Sequence, residues 1–245
     1  MSWLTRRLSV RERPVSDVPR PVLALLVLAL AAQIAWHALA PAPRLQAAAL
    51  APPPSLAVLR LAAMGEPIAL SKLLMLHVQA ADSQTGAHGL YDGIDYARLE
   101  QWLTRISDLD PRAEYPLIAA SHLYAEVRDD AKRRRMLDFV YQRFLLEPNL
   151  RWRALAHVTM VAKYQLHDLP LAQRYASAIR RLASGPQVPG WARQMEVFVL
   201  EDMNELESAK ILLGGMIASG QVSDPQERRF LQERLQQLIA RTRPK

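Results

Sequence analysis

The sequence predicts an all-α protein. Alanine and leucine dominate its second half, whereas glycine is scarce, with 9 among 245 residues. Alanine and leucine lose little side-chain freedom in a helix, while glycine loses the most backbone freedom. Near the start lies a charge-free apolar run, and apolar stripes at helical spacing follow it. We therefore expect a single N-terminal transmembrane helix, an α-solenoid of about four helical hairpins and a C-terminal capping helix.

The apolar run, PVLALLVLALAAQIAWHALA, occupies residues 21–40 and carries no formal charge. A helix of about 20 residues rises about 30 Å, which matches the hydrocarbon core of a bilayer. Residues 1–20 hold five arginines against two acids. Since basic flanks stay in the cytoplasm, we predict a basic cytoplasmic tail at 1–20, a membrane contact through 21–40 and the remainder outside the cytoplasm.

A cleaved signal peptide is the alternative interpretation, because it also combines a basic start with an apolar run. The run here is longer than the usual 7–15 residues or so, which favours an uncleaved anchor. The best small-residue cleavage site ends at Ala40 and is followed by Pro41, an awkward residue for cleavage. Cleavage near residues 47–49 stays open.

Residues 41–60 are rich in proline and alanine, with prolines at positions 41, 43, 52, 53 and 54. Proline lacks an amide donor and favours extended backbone. We therefore predict a semi-rigid linker that lies outside the fold. The folded helical domain is expected at residues 61–245.

Four apolar stripes with the offsets 0, 3, 4 and 7 recur along this domain. They begin at Leu99, Leu137, Tyr175 and Ala209, so successive stripes are 38, 38 and 34 residues apart. Any amphipathic helix has those offsets, but a near-constant period of about 34–40 residues is typical of stacked helix pairs. Between the stripes an aromatic, an aliphatic and a small residue recur, as Tyr115, Ile118 and Ala119 and again as Trp152, Leu155 and Ala156.

The sequences DLDP at 108–111 and LLEP at 145–148 resemble the ends of tetratricopeptide repeats. In that family the second helix ends there and a proline begins the next repeat. The resemblance covers residues 66–220, with Ala119 and Ala156 replacing the family's glycine. It implies stacked hairpins that bind a protein or peptide partner. The arrangement is similar to bacterial inner-membrane proteins with one N-terminal span and a periplasmic tetratricopeptide domain, which implies the same location.

The sequence offers no recognisable catalytic, cofactor or metal motif. There is no cysteine, and none of the six histidines belongs to a His-x-x-x-His or Glu-x-x-His pair. The densest basic run, residues 132–135, points in all directions around a helix and so forms no single phosphate-binding face. We therefore expect no enzyme, no cofactor or metal, and no nucleic-acid binding.

Partner binding is expected on the first helix of each hairpin, which lines the concave side of such stacks. The register that buries Tyr115 and Trp152 turns other first-helix residues outward. The glycine-rich loop at 83–94 is a second candidate, since long loops in compact repeats often carry function; a disordered insertion is its alternative. The predicted partner-binding residues are Tyr124, Arg153, His157 and Met160 on the helices, with His88 and Tyr91 in the loop.

The leading functional hypothesis is a membrane-anchored helical-repeat adaptor or scaffold that binds a protein or peptide outside the cytoplasm, in envelope assembly, secretion or a chaperone-type role. The alternative is an accessory structural subunit of a larger membrane protein complex. A concave face that carries polar and aromatic residues would favour the adaptor. A broad apolar face would favour the permanent subunit.

Overall fold

The computed structural model describes residues 19–39, 50–83, 93–220, 222 and 224–242. These residues form helices and helical turns with no strand, so the predicted all-α class is confirmed. The chain divides into two compact units, Met1–Arg44 and Leu45–Lys245.

The first unit contains α1, Arg20–Leu39, which includes most of the predicted span. Its large apolar side chains are exposed, as at Leu25 and Trp36. Taken singly, none of the described helices is both long and apolar enough to cross a bilayer. The helices at Leu56–Ala62 and Pro67–Ala81 pass that test only as a pair, and a bend of 112° separates them.

The second unit contains ten α-helices among its described residues. They are α2 (Leu56–Ala62), α3 (Pro67–Ser83), α4 (Tyr96–Leu109), α5 (Tyr115–Ile118), α6 (Asp130–Leu146), α7 (Pro148–Tyr164), α8 (Leu169–Leu182), α9 (Gly190–Asp202), α10 (Leu206–Ala218) and α11 (Pro225–Thr242). Consecutive helices pack in pairs, with α3 on α4, α7 on α8 and α9 on α10, and α11 covers α10. This chain of helical hairpins is compatible with the predicted helical repeat.

Aspartates cap the starts of several helices. Asp95 accepts hydrogen bonds from two backbone N–H groups of α4, and Asp168 accepts one from α8. Such caps satisfy donors that have no partner inside the helix. The predicted start at Asp110 and Pro111 is wrong, because a turn follows Pro111 and α5 begins only at Tyr115.

The recurring stripes form the core. Leu99, Leu137, Tyr175 and Ala209, which begin the four stripes, are all fully buried. One continuous apolar cluster runs through the first hairpins as far as α9, and a second lies beneath α9, α10 and α11. A hairpin alone cannot cover its apolar face, so each stripe is buried by the neighbouring hairpin.

Ion pairs join neighbouring second helices at the repeat distance. Arg143 Nη1 lies 2.7 Å from Asp108 Oδ1, and Arg134 Nη1 lies 2.7 Å from Asp168 Oδ2. Arg133, in the same basic run, donates to the backbone carbonyl of Ala125. The cations that are dense in the sequence thus bind parts of the fold itself.

The predicted linker boundary is wrong at its C-terminal end. Leu50 is buried in the main core, and Trp102 Nε1 donates to the carbonyl of Ala51 at 2.8 Å. Ser55 caps α2 by accepting from Val58 N. Extended backbone leaves carbonyls free to accept hydrogen bonds, so this proline-rich stretch can pack on the domain. Among the described residues, packing on the domain is seen from residue 50, ten residues before the predicted linker ends.

A π-helical turn follows α5 and covers Ala119–Leu123. Tyr124, directly after it, is fully buried, with its carbonyl accepting from Tyr96 Oη, whereas Tyr115 is 47% exposed. The prediction that Tyr124 faces outward and Tyr115 inward is wrong, because α5 begins only at Tyr115, whereas Trp152 lies one turn inside α7. Tyr115 therefore does not take the core position of Trp152, and the register counted from it is inverted.

Trp102 and Trp152 are buried at 5% and 4% exposure, as the stripe positions predict. Replacing either by alanine should lower the free energy of unfolding by about 3–5 kcal/mol, because a large aromatic leaves a cavity in a packed core. Urea unfolding followed by circular dichroism measures this loss. Trp191→Ala is the matched control, since Trp191 is 55% exposed. A loss at Trp152 below about 1 kcal/mol would contradict its core position.

Candidate functional site

A concavity of about 770 Å³ opens between α7 and α9, the first helices of the third and fourth hairpins. We name it the α7–α9 pocket. Four α7 side chains reach it because they recur at spacings of 4, 3 and 4 residues, which places them on one helical face. These four are Arg153, His157, Met160 and Tyr164. The α9 helix contributes Trp191, Met195 and Phe198.

The pocket brings together three of the predicted partner-binding residues, Arg153, His157 and Met160. Tyr124 is not among them, because it is buried in the core. His88 and Tyr91 lie outside the described residues.

Sequence reasoning missed the two exposed aromatics of the pocket, Trp191 and Tyr164. Trp191 does not repeat the core position of Trp152, because α9 begins at Gly190, which places Trp191 in its first turn, whereas Trp152 lies one turn inside α7. A tryptophan directly after a Pro-Gly helix start is the signal that could have shown the difference.

Aromatic contacts order the pocket. Trp152 and Trp191 meet edge to face, with their ring centroids 5.4 Å apart. The Arg153 guanidinium carbon lies 5.0 Å from the Trp152 centroid, a cation–π distance. Trp152 is buried while Trp191 is exposed, so a fixed ring supports an accessible one.

Two stacked histidines lie beside the pocket, with ring centroids 3.6 Å apart. One nitrogen of His122, Nδ1, lies 2.7 Å from Ser121 Oγ. Burial lowers the pKa of His157, and a charge on His122 would lower it further, while Glu126 opposes the shift in part. The stack therefore favours a neutral His157 at neutral pH.

Cations flank the aromatic rings. Lys163 pairs with Asp202, which ties α7 to α9. Burial alone would lower the pKa of Lys163, but the hydrogen bond with Asp202 and its charge outweigh this effect, so the pKa is raised. Arg153 is exposed, and its ion pair with Glu114 is long, at 3.4 Å. The pocket thus offers one tightly paired and one accessible positive charge.

Smaller concavities continue the pocket along the first helices. One of about 250 Å³ lies between α5 and α7 and includes Arg153 and Glu114. Another of about 450 Å³ lies between α3 and α5 and includes Glu114, Tyr115 and Leu76. Because neighbouring concavities share residues, α3, α5, α7 and α9 line one surface, which we name the first-helix groove.

Among the described residues, no group of three or more histidine, cysteine, aspartate or glutamate side chains is placed to hold a metal ion. Comparison with protein-family models, curated proteins and solved structures finds no match for this chain. The tetratricopeptide resemblance therefore rests on the residues themselves and on the hairpin architecture.

The lowered pKa of His157 predicts a loss of stability in mild acid. Its ordinary value is about 6.5, so below that pH the unfolded state binds more protons than the folded state, and stability falls as pH falls toward the folded pKa. The melting temperature of His157→Gln should therefore fall less than that of the unchanged protein between pH 7.5 and 5.5, a range that brackets about 6.5.

Met160→Gln is the matched control for this comparison, because it places the same side chain one turn away and keeps both histidines. Asp168 titrates below this window, since its hydrogen bond with Arg134 lowers its pKa from the ordinary value of 3.8. Equal pH dependence in His157→Gln and the unchanged protein would show that His157 does not cause the acid sensitivity.

Proposed function

We propose that the protein is a membrane-anchored helical-repeat adaptor of tetratricopeptide type, which captures a peptide segment of a partner protein in the first-helix groove. The α7–α9 pocket carries this proposal, because accessible aromatic, cationic and thioether side chains converge there. It combines the exposed rings of Trp191 and Tyr164 with Arg153 and Met160.

The chemistry of the pocket supports capture of a peptide over a permanent apolar interface. Tryptophan, tyrosine and arginine are the residues enriched at binding hot spots, and methionine adapts to varied apolar ligands. The volume of about 770 Å³ lies in the range of about 300–1,000 Å³ that ligand sites occupy. A permanent subunit interface would be broader and more uniformly apolar.

Two polar atoms beside the pocket support a ligand with peptide groups. Trp152 Nε1 and His157 Nε2 are buried and have no hydrogen-bond partner among the described residues. A buried polar atom without a hydrogen-bond partner costs about 1–3 kcal/mol. A peptide whose carbonyl group reaches Trp152 Nε1 and whose N–H group reaches His157 Nε2 after small side-chain movements would recover part of that cost.

Membrane anchoring is supported by residues 21–40, which lack formal charge, and by the exposed apolar side chains of α1. Exposed apolar side chains along a helix present surface that a bilayer would cover. The five preceding arginines support a cytoplasmic tail. We place the anchor in a bacterial inner membrane and the helical domain in the periplasm, by similarity of architecture alone.

Removing the exposed side chains of the groove should release the partner. The full chain, extracted in mild detergent, is compared with Trp191→Ala and Arg153→Ala for the amount of co-purifying protein. A hot-spot loss of about 2 kcal/mol corresponds to roughly thirtyfold weaker binding. Ile211→Ala is the matched control, because Ile211 is 72% exposed on α10 and lies outside the groove.

The outcomes separate the two candidate functions. A partner that is lost from both groove variants and kept by Ile211→Ala, with melting temperatures unchanged, supports the adaptor. A partner that stays at fixed stoichiometry in every variant contradicts it and supports the accessory structural subunit.

The proposed topology predicts that a reporter fused after Lys245 is active only if it functions outside the cytoplasm. Alkaline phosphatase should therefore be active and green fluorescent protein dark when exported through the general secretory route. Deletion of residues 21–40 is the control and should reverse both signals. A fusion whose reporter is active only in the cytoplasm would contradict the topology. A mature protein that begins after Ala40 would show that residues 21–40 are a cleaved signal peptide and not an anchor.

A further inference from the structure

Large apolar side chains are exposed on α2, α3 and the bend between them at a density not found elsewhere among the described residues of the second unit. Beyond α1, eleven described large apolar side chains are more than half exposed, and six of them fall within residues 58–76. The other five are spread over residues 146–230. The six are Val58, Leu61, Met64, Ile68, Leu73 and Leu76.

The opposite faces of the two helices are packed on the domain. Leu59 is buried on α2, and Met75 and Val78 are buried on α3. Ser71 Oγ also donates to the carbonyl of Ile106 in α4 at 3.3 Å. Both faces are thus apolar, whereas a helix at a water-facing surface normally has a polar outer face. Because the inner face is occupied, the pair can offer only its outer face to a further partner.

The bend between α2 and α3 projects the most exposed of these side chains. Met64 and Gly65 both adopt left-handed backbone, with φ of 48° and 94°. This conformation is uncommon for a residue other than glycine. Met64 is nevertheless the most exposed large apolar side chain described, at 91%. The backbone therefore holds an apolar side chain at the tip of the bend.

The charges around the bend fit an anionic lipid surface. Between residues 50 and 76 the formal charges are Arg60, Glu66 and Lys72. Arginine and lysine can bury their aliphatic stems in an apolar layer while their charged ends reach headgroups. Apolar side chains with flanking cations are typical of segments that lie in the membrane interface.

The length of the chain gives these helices access to a bilayer. Ten residues lie between Leu39 and Leu50, and the eleven steps from one to the other span at most about 40 Å when extended. If α1 is the membrane anchor, the distance from the end of α1 to the start of the packed domain cannot exceed about 40 Å. This step rests on the anchor in the proposed function.

We propose that the outer face of α2 and α3 lies in the headgroup layer of an anionic bilayer. We name this surface the apolar edge and define it as Val58, Leu61, Met64 and Ile68. It holds the helical domain against the membrane instead of letting the proline-rich segment keep it away.

The absence of cysteine allows a direct test with the full chain, because a single introduced cysteine can carry a fluorophore. The protein is reconstituted in vesicles of phosphatidylcholine with or without phosphatidylglycerol, and an environment-sensitive dye is attached at one position. Lipids with a nitroxide high on the acyl chain quench a dye in the interface. Three labelled variants are compared: Met64→Cys on the apolar edge, Ala31→Cys in α1, and Ile211→Cys as the exposed control on α10.

We expect quenching at position 64 to exceed that at position 211 by at least about twofold, and to increase with phosphatidylglycerol because the flanking cations attract anionic lipid. Adding Arg60→Glu to Met64→Cys should remove the dependence on phosphatidylglycerol. Equal quenching at positions 64 and 211 would overturn the proposal, and would leave a protein partner as the cover of the apolar edge.

The dye at position 31 tests the anchor independently of the apolar edge, so the two proposals can fail separately. Quenching at 31 without quenching at 64 overturns the apolar edge and leaves the anchor standing. Quenching at 64 without quenching at 31 by nitroxides at any depth supports the apolar edge and overturns the anchor.

Discussion

The stacking distance between hairpins is the constraint on which the rest of this fold depends, and two buried arginines hold it. Arg151 donates to the carbonyls of Arg143 and Pro111, at 2.6 and 2.9 Å, and Arg143 pairs with Asp108. Burial lowers the pKa of Arg151, and the neighbouring charge of Arg143 adds to this effect. The two carbonyls compensate for that burial only while the hairpins keep their spacing, so a change in spacing would leave a buried cation without its acceptors.

The groove follows from the same stacking. Leu155 and Val158 bury one face of α7 between hairpins, so the residues on the opposite face, such as Arg153 and His157, must face the space toward α9. Salt bridges and aromatic contacts across that space then fix its width, as with Lys163 and Asp202. A binding surface on the first helices is thus a geometric result of burying the stripes, and its chemistry depends on which side chains occupy the positions left outside.

The sequence predicts those parts of the fold that depend on regular periodicity. The stripes and the outward face of α7 were predicted because α7 is an unbroken helix, so spacing alone gave the places of Arg153 and Met160. Tyr124 was misplaced because its register was counted from Tyr115, and the residue pattern does not show that α5 begins only at Tyr115, whereas α7 begins directly at Pro148. The stack of His122 on His157 and the pair of Glu114 with Arg153 join residues 35 and 39 apart. Such contacts depend on how hairpins stack, which local pattern does not determine.

The helix α3 belongs to both proposed surfaces. Leu76 lines the concavity between α3 and α5, while Ile68 on the same helix belongs to the apolar edge. If the apolar edge lies in the headgroup layer, one end of the first-helix groove opens next to the bilayer, and the α7–α9 pocket lies two hairpins farther along. A partner segment that leaves the membrane could then enter at the α3 end and extend toward Trp191. Both surfaces would in that case serve one task, which is to hold a membrane-proximal peptide along the groove.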